Sequence, residues 1–419
     1  PRPGKHVSRF RHPGFPMNLK LLRNFLSSAA LALGLAVSAL AERAPLAQVI
    51  DEAFAASAAQ YRWMLEKQLP AANRMPRTFE HGQLQTVLER DWTVGFFPGA
   101  LWLLAEGTGD ASWRKPAMHF TELIRYEQDN TRTHDIGFII NCSFGQALRL
   151  TGDESLKPVL LRAAGALATR FNPKVGAIKS WDRDPRVFVY PVIIDNMMNL
   201  ELLLWAAANG GEASFRDIAI AHADTSMREH FRADASTFHV VDFDPATGQA
   251  KRKVTHQGIA DASAWARGQM WGLYGYVLMH RFTGEKRYLA QAEKIAAFLM
   301  NHPRLPADKV PFWDFDDPKI PNAPRDASAA AIMCSALFEL AGQVKSPEAR
   351  ARYGAFAEEQ LRSLASPAYL AKVGENGGFL IKHCVGNMPK NSEVDTPINY
   401  ADYYFLEALL RGRAWAAKR

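Results

Sequence analysis

Two aspartates, each just ahead of an apolar helix-forming run, are the residues best placed to do chemistry. Asp195 lies in VIIDNMMNLELLLW (192–205), among branched and sulfur-bearing side chains and shortly after Pro191. Asp135 lies in THDIGF (133–138), and DWTVGFFPG (91–99) makes a third such start. If the 192–205 run is a helix, Asp195, Met198, Asn199 and Leu202 share one face at i, i+3, i+4 and i+7. A carboxylate and an amide then point from a helix end into a buried space. Such a carboxylate is either paired or has a raised pKa, and a raised pKa makes a usable general acid. Asp is also a common helix N-cap, and either aspartate taken alone reads that way too.

Further segments of the same kind follow. THQGIAD (255–261) precedes SAWARGQMWG (263–272), and FWDFD (312–316) precedes PRDAS (324–328). Aromatics, carboxylates and an Arg recur at helix starts. A sugar ring asks for this mixture, because its CH faces stack on aromatics and its hydroxyls take hydrogen bonds.

The elements that must carry these segments are helical almost everywhere from Pro45 onward. Strand-like alternation is scarce, with FHVVDF (238–243) the best short stretch. Helices end in a repeated punctuation: an apolar helix, a Gly, an acidic residue, then a new apolar anchor. It occurs at Gly109-Asp110 before Trp113, Gly152-Asp153 before Leu156, Gly211-Glu212 before Phe215 and Gly284-Glu285 before Tyr288. Gly suits the left-handed position that ends a helix, and the acid suits the next helix's N-terminus. With an opening helix pair near 46–68, a helix after Ser328 and another over 399–411, about six hairpins result. Long inserts gather between them, on one face. The expectation is an all-α fold, a closed (α/α)6 barrel over 42–419 with the inserts around one mouth. An open solenoid is the alternative.

The chain is 48% hydrophobic and 22% charged, which is globular and not disordered. Six Lys or Arg and no acid occur in the first 24 residues, so the net charge of +7 leaves the remainder near neutral. No basic cluster therefore points to nucleic acid. From Met17, a short basic region, an apolar Phe25–Leu40 and an Ala39-Leu40-Ala41 cleavage site predict a secretory signal peptide over 17–41. Residues 1–16 then read as an upstream artefact, and the protein as secreted, into the periplasm. The apolar run is too short to be a membrane anchor. Cys142, Cys334 and Cys384 are too few for a disulfide framework, although one pair could form, and no Cys/His spacing resembles a zinc site. No metal or cofactor is expected.

HDIGF (134–138), IDNMMN (194–199), WARGQMW (265–271), WDFD (313–316) and PRDASAAA (324–331) together resemble glycoside hydrolase family 88, the unsaturated glucuronyl hydrolases. The resemblance covers roughly residues 85–412. It implies the (α/α)6 barrel and a substrate left by polysaccharide lyases, an oligosaccharide with a 4,5-unsaturated uronic acid at its non-reducing end. It also implies hydration of the vinyl ether double bond in place of displacement at the anomeric carbon. By motif, Asp195 matches the general acid/base and Asp135 the second carboxylate. His239, Gln257, Trp265 and Arg267 match residues that position substrate or water, and Trp92 and Trp271 match aromatic walls. The loop with Lys390 and Ser392 is expected to approach the second sugar and any sulfate on it.

Other readings stay in view. The related family 105, unsaturated rhamnogalacturonyl hydrolases, shares the barrel; HDIGF and Gln269 favour family 88. A non-catalytic oligosaccharide-binding barrel would keep the aromatics without needing both aspartates. A toroid lyase would want a Tyr/His base and Arg. Arg267 could hold the substrate carboxylate or fix an acidic side chain, and Trp265 and Trp271 could be core. His134 and His256 are weaker candidates, and Asp314, Asp316, Arg325 and Asp326 read as a supporting charge network.

Overall fold

Helices alternate along the chain between two environments. The structure is a computed structural model that describes Pro1, Gly4 and residues 43–69, 74–182 and 186–418. The expected signal peptide and the segment before it lie outside those residues. Everything below concerns the unit from Leu46 onward.

Six outer helices are amphipathic: α1 (Leu46–Trp63), α3 (Arg114–Glu122), α5 (Lys157–Ala168), α7 (Ser214–Glu229), α9 (Lys286–Met300) and α11 (Pro347–Leu364). In α9, Tyr288, Gln291, Ala292, Ile295, Ala296 and Leu299 are buried, a single helical stripe. The six inner helices are apolar nearly all round. They are α2 (Phe96–Thr108), α4 (π-helical Gly137–Gly145 running into Gln146–Thr151), α6 (3-10 Ile194–Asn199 running into Leu200–Ala208), α8 (Ala266–Thr283), α10 (Ala327–Gln343) and α12 (Asn399–Ala416). Residues Ala266 to Met279 of α8 are buried without interruption. Each inner helix packs on the next, and α12 packs back on α2, so the ring closes. This is the (α/α)6 barrel, and one large apolar cluster fills it.

The punctuation works as the sequence suggests at three of its four sites; at the fourth it is Gly210, not Gly211, that has positive φ (94°). Gly109, Gly152 and Gly284 end inner helices with φ near +70° (70°, 67° and 70°). Asp110 and Asp153 then accept the N–H of Ser112 and Ser155 to open the next turn. Two expectations need correction. Residues 46–68 are one helix with a terminal π turn, not a pair. The 192–205 run is not one helix either. Ile193 is extended and pairs with Val240, so only from Ile194 does the chain coil, first as a 3-10 turn.

Short strands decorate one end. Antiparallel hairpins are β1–β2 (Met75–Glu80, Gln83–Val87), β3–β4 (Phe171–Asn172, Ala177–Ile178) and β8–β9 (Cys384–Asn387, Ser392–Thr396). A three-stranded sheet orders β5 (Pro191–Ile193), β6 (Val240–Phe243) and β7 (Ala250–Val254). The expected strand over 238–243 is β6. All three cysteines are buried and free, so no pair forms. No helix among the described residues is long and apolar enough to cross a membrane.

Candidate active site

Every inner helix begins at the same end of the barrel, and the candidate residues sit at those beginnings. Trp92 precedes α2, Asp135 precedes α4, Asp195 opens α6, Trp265 and Arg267 open α8, Asp326 precedes α10 and Tyr400 opens α12. The six N-termini together make a positive end to the barrel interior, which favours an anionic ligand. A cavity of about 330 Å³ lies there, lined by Trp92, Asp135, Trp181, Asp195, Gln257 and Lys390 among others.

The two carboxylates are brought together by a close approach of α4 and α6. A Cβ at Gly137 would lie 2.6 Å from the Cα of Asn199, so only Gly fits there. Asn199 completes the joint by accepting the Phe138 N–H at 2.9 Å. The amide expected to share the cavity with Asp195 thus serves the backbone of the other aspartate's helix.

Neither aspartate caps a helix with its side chain. Asp135 accepts the Thr133 hydroxyl at 2.6 Å and faces His134 Nε2 at 3.2 Å. Asp195 is 8% exposed, and its Oδ2 has no hydrogen-bond partner. Burial pushes its pKa up from 3.8 to about 7; Arg267 opposes the rise, and Asp135 adds to it. Arg267 outweighs Asp135.

His239 faces Asp195, with Nε2 3.7 Å from Oδ2. Its Nδ1 accepts the backbone N–H groups of His256 and Gln257, at 3.1 and 3.2 Å. An accepting Nδ1 carries no proton, so the neutral ring holds its proton on Nε2, toward Asp195. Burial depresses the imidazole pKa well below its usual value, which keeps the ring neutral. Trp265 packs against this ring, tilted by 35° with 4.4 Å between centroids.

The other expected site residues fall into two groups. Trp92, Gln257, Lys390 and Ser392 line the cavity. Trp265, Arg267 and Trp271 lie behind it, 3%, 1% and 0% exposed. Trp271 packs between Phe138 and Tyr404 as a floor, its indole N–H turned toward Asp195. Arg267 fixes an acidic side chain, one of the two roles expected of it. It donates to Asp326 at 3.0 Å, to the Gly386 carbonyl at 2.7 Å and to the Val385 carbonyl. Gln257 also donates to the Gly386 carbonyl, at 2.8 Å. The supposed charge network around it divides: Arg325 pairs with Asp308, and Asp314 takes the Ile259 N–H and the Ser263 hydroxyl.

Sequence reasoning passed over Arg77, Trp181, Asn387 and Tyr400, all of which line the cavity. It ranked His134 and His256 low, and they line it too. Trp181 and His256 form a wall, with ring centroids 5.8 Å apart, and Trp92 and Tyr400 form another at 5.3 Å. The position of His134 beside Asp135 and of His256 beside Gln257 was the signal available. No group of three His, Cys, Asp or Glu among the described residues is arranged to hold a metal ion.

Comparison with known proteins places this geometry. The profile of "Glycosyl Hydrolase Family 88" matches residues 70–415. The chain is 48% identical over 343 residues to the unsaturated glucuronyl hydrolase of Formosa agariphila, covering 81% of this chain and 85% of that protein. It is 38% identical to the unsaturated glucuronyl hydrolase of Bacillus sp. strain GL1, over 77% of this chain and 86% of the relative. Among solved structures, an unsaturated glucuronyl hydrolase specific for heparin superposes with a TM-score of 0.85 at 45% identity, covering 89% of this chain and 98% of that one. The chain belongs to glycosyl hydrolase family 88.

Proposed function

We propose that this enzyme removes the 4,5-unsaturated uronic acid from the non-reducing end of lyase-generated oligosaccharides by hydrating its vinyl ether double bond. The family makes the chain a glycoside hydrolase acting on unsaturated glucuronides. One observation carries the chemical assignment: Asp195 is a buried carboxyl whose pKa of about 7 lets it hold a proton near neutrality, on a cavity it shares with Asp135.

The protonated Asp195 donates to C4 of the double bond. The cation that develops at C5 is stabilised by the ring oxygen. Water adds at C5 and gives its second proton to the Asp195 carboxylate, restoring the acid. The C5 hemiketal opens, and loss of the ring frees the aglycone from C1 as an alcohol. Asp135 stays available to orient the water, held by Thr133 and His134. The His239 Nε2–H, directed at Asp195 from 3.7 Å, favours its ionised form between the two transfers. Trp92 and Tyr400 on one side and Trp181 and His256 on the other receive the faces of the uronate, and Lys390 and Ser392 approach the neighbouring sugar. The enzyme acts outside the cytoplasm, after cleavage of its segment 17–41.

The test is the fate of solvent atoms and of one variant. In heavy water with labelled oxygen, the wild type should place deuterium at C4 and label at C5. Asp195→Asn should lower kcat by about 10²–10⁴ with little change in KM. Label at C1, or an active Asp195→Asn enzyme, would overturn this assignment. A panel of unsaturated disaccharides from chondroitin, hyaluronan, heparin and plant or algal polymers would identify the preferred aglycone.

A further inference from the structure

Arg77 lines the cavity, yet none of the steps above uses it. It stands on β1 and spends its guanidinium on two other elements. Nη1 donates to Asp91 Oδ2 at 2.8 Å, Nη2 donates to Glu393 Oε2 at 2.9 Å, and Nε donates to Glu393 Oε1. The contact to Glu393 is a two-pronged fork, a geometry that Lys cannot reproduce.

Each partner is fixed in turn. Asp91 Oδ1 accepts the Thr93 N–H at 2.9 Å and its hydroxyl at 2.7 Å, which shapes the loop bearing Trp92. Glu393 is 4% exposed on β9, and its N–H donates to Glu80 Oε1 at 2.9 Å. Across the hairpin a Cβ at Gly386 would fall 2.2 Å from Glu393 Oε2, so the two are interlocked. The same hairpin carries Lys390 and Ser392. Its backbone is strained: Asn391, Glu393 and Asp395 all have positive φ (48°, 55° and 58°). Residues other than Gly hold such angles only where their surroundings impose them.

We propose that Arg77 is a positioning residue for the outer wall of the cavity. By tying the Trp92 loop to the β8–β9 hairpin, it sets the distance between the aromatic wall and Lys390 and Ser392. Selection of the sugar next to the unsaturated uronate depends on that distance, whereas the chemistry at C4 and C5 does not. This rests on the function proposed above and extends it to aglycone choice.

The experiment compares two substrates: an unsaturated uronate linked to a 6-sulfated hexosamine, and the methyl glycoside of the same uronate. Glu393→Gln keeps the shape of the side chain and removes its charge; Arg77→Lys keeps the charge and removes the fork. In both variants KM for the disaccharide should rise by roughly tenfold or more. For the methyl glycoside KM should change by less than about twofold, and kcat on either substrate by less than about threefold. A KM rise of equal size on both substrates would place Arg77 on the uronate itself and overturn the proposal. So would a fall in kcat alone, or no change. If Arg77→Lys does not fold, Glu393→Gln alone reports the split, because it loosens the hairpin and leaves Asp91 holding the Trp92 loop. A wild type inactive on both substrates sinks the proposed function, whereas an active wild type with equally impaired variants sinks only the role of Arg77.

Discussion

A carboxyl that keeps its proton near neutrality weakens the fold that carries it. Unfolded, Asp195 titrates near its ordinary 3.8; folded, it titrates at about 7. Below the lower value both states hold the proton and nothing is lost. As pH rises between the two, the unfolded chain ionises first, so native stability falls, and above 7 the loss is complete. The gap amounts to roughly 4 kcal/mol at most. Asp195→Asn removes the charge and keeps the shape. Its midpoint of urea unfolding should exceed that of the wild type at pH 8 and match it at pH 4. The same proton sets the activity profile: kcat/KM should decline as pH rises through about 7, where the free enzyme loses its acid. A variant no more stable than wild type at pH 8, or a profile flat to pH 9, would contradict the raised pKa.

At the scale of elements, the site depends on how closely α4 and α6 approach. Gly137→Ala places a methyl 2.6 Å from the Asn199 Cα, and neither backbone can yield without moving an aspartate. Overpacking of this kind costs about 1–3 kcal/mol. Gly137→Ala should therefore lower the urea midpoint and also lower kcat by at least about tenfold, because misplaced groups react slowly. Loss of stability with kcat intact would show that the spacing of the carboxylates is not critical. The inner helices were legible in the sequence because they are apolar runs, four of the six closed by Gly and an acid. Most inserts were not. The β1–β2 hairpin did leave a sign, His81-Gly82 between alternating residues, and both turn residues have positive φ (52° and 74°). The β8–β9 hairpin left only its turn residues Pro389 and Asn391, since Glu393 is unusual at positive φ and is held there by Arg77. Asp195 and Asp135 could be found from their helix starts. The burial of Arg267 against Asp326 could not, because both roles suit an Arg in the same motif.

For the whole molecule, the export proposed above and the fold make opposite demands on the cysteines. A chain exported to an oxidising compartment meets machinery that forms disulfides. Here the thiols are all sealed: Cys334 is 0% exposed, Cys384 0% and Cys142 7%, and burial pushes each thiol pKa well up. Thiol–disulfide exchange runs through the thiolate and needs access to it, so the folded enzyme resists both oxidation and pairing. Stability must then come from the barrel's apolar interior and not from cross-links. Protein recovered from the periplasm, with a chain beginning at or near Glu42, should show no thiol reactive toward an aromatic disulfide reagent in its native state. In urea without reductant it should show three per chain, the number of cysteines present. Its Tm should be the same with and without dithiothreitol. One reactive thiol in urea, with a Tm that falls on reduction, would mean that two cysteines had paired during export, and that the reduced arrangement described here is not the exported one.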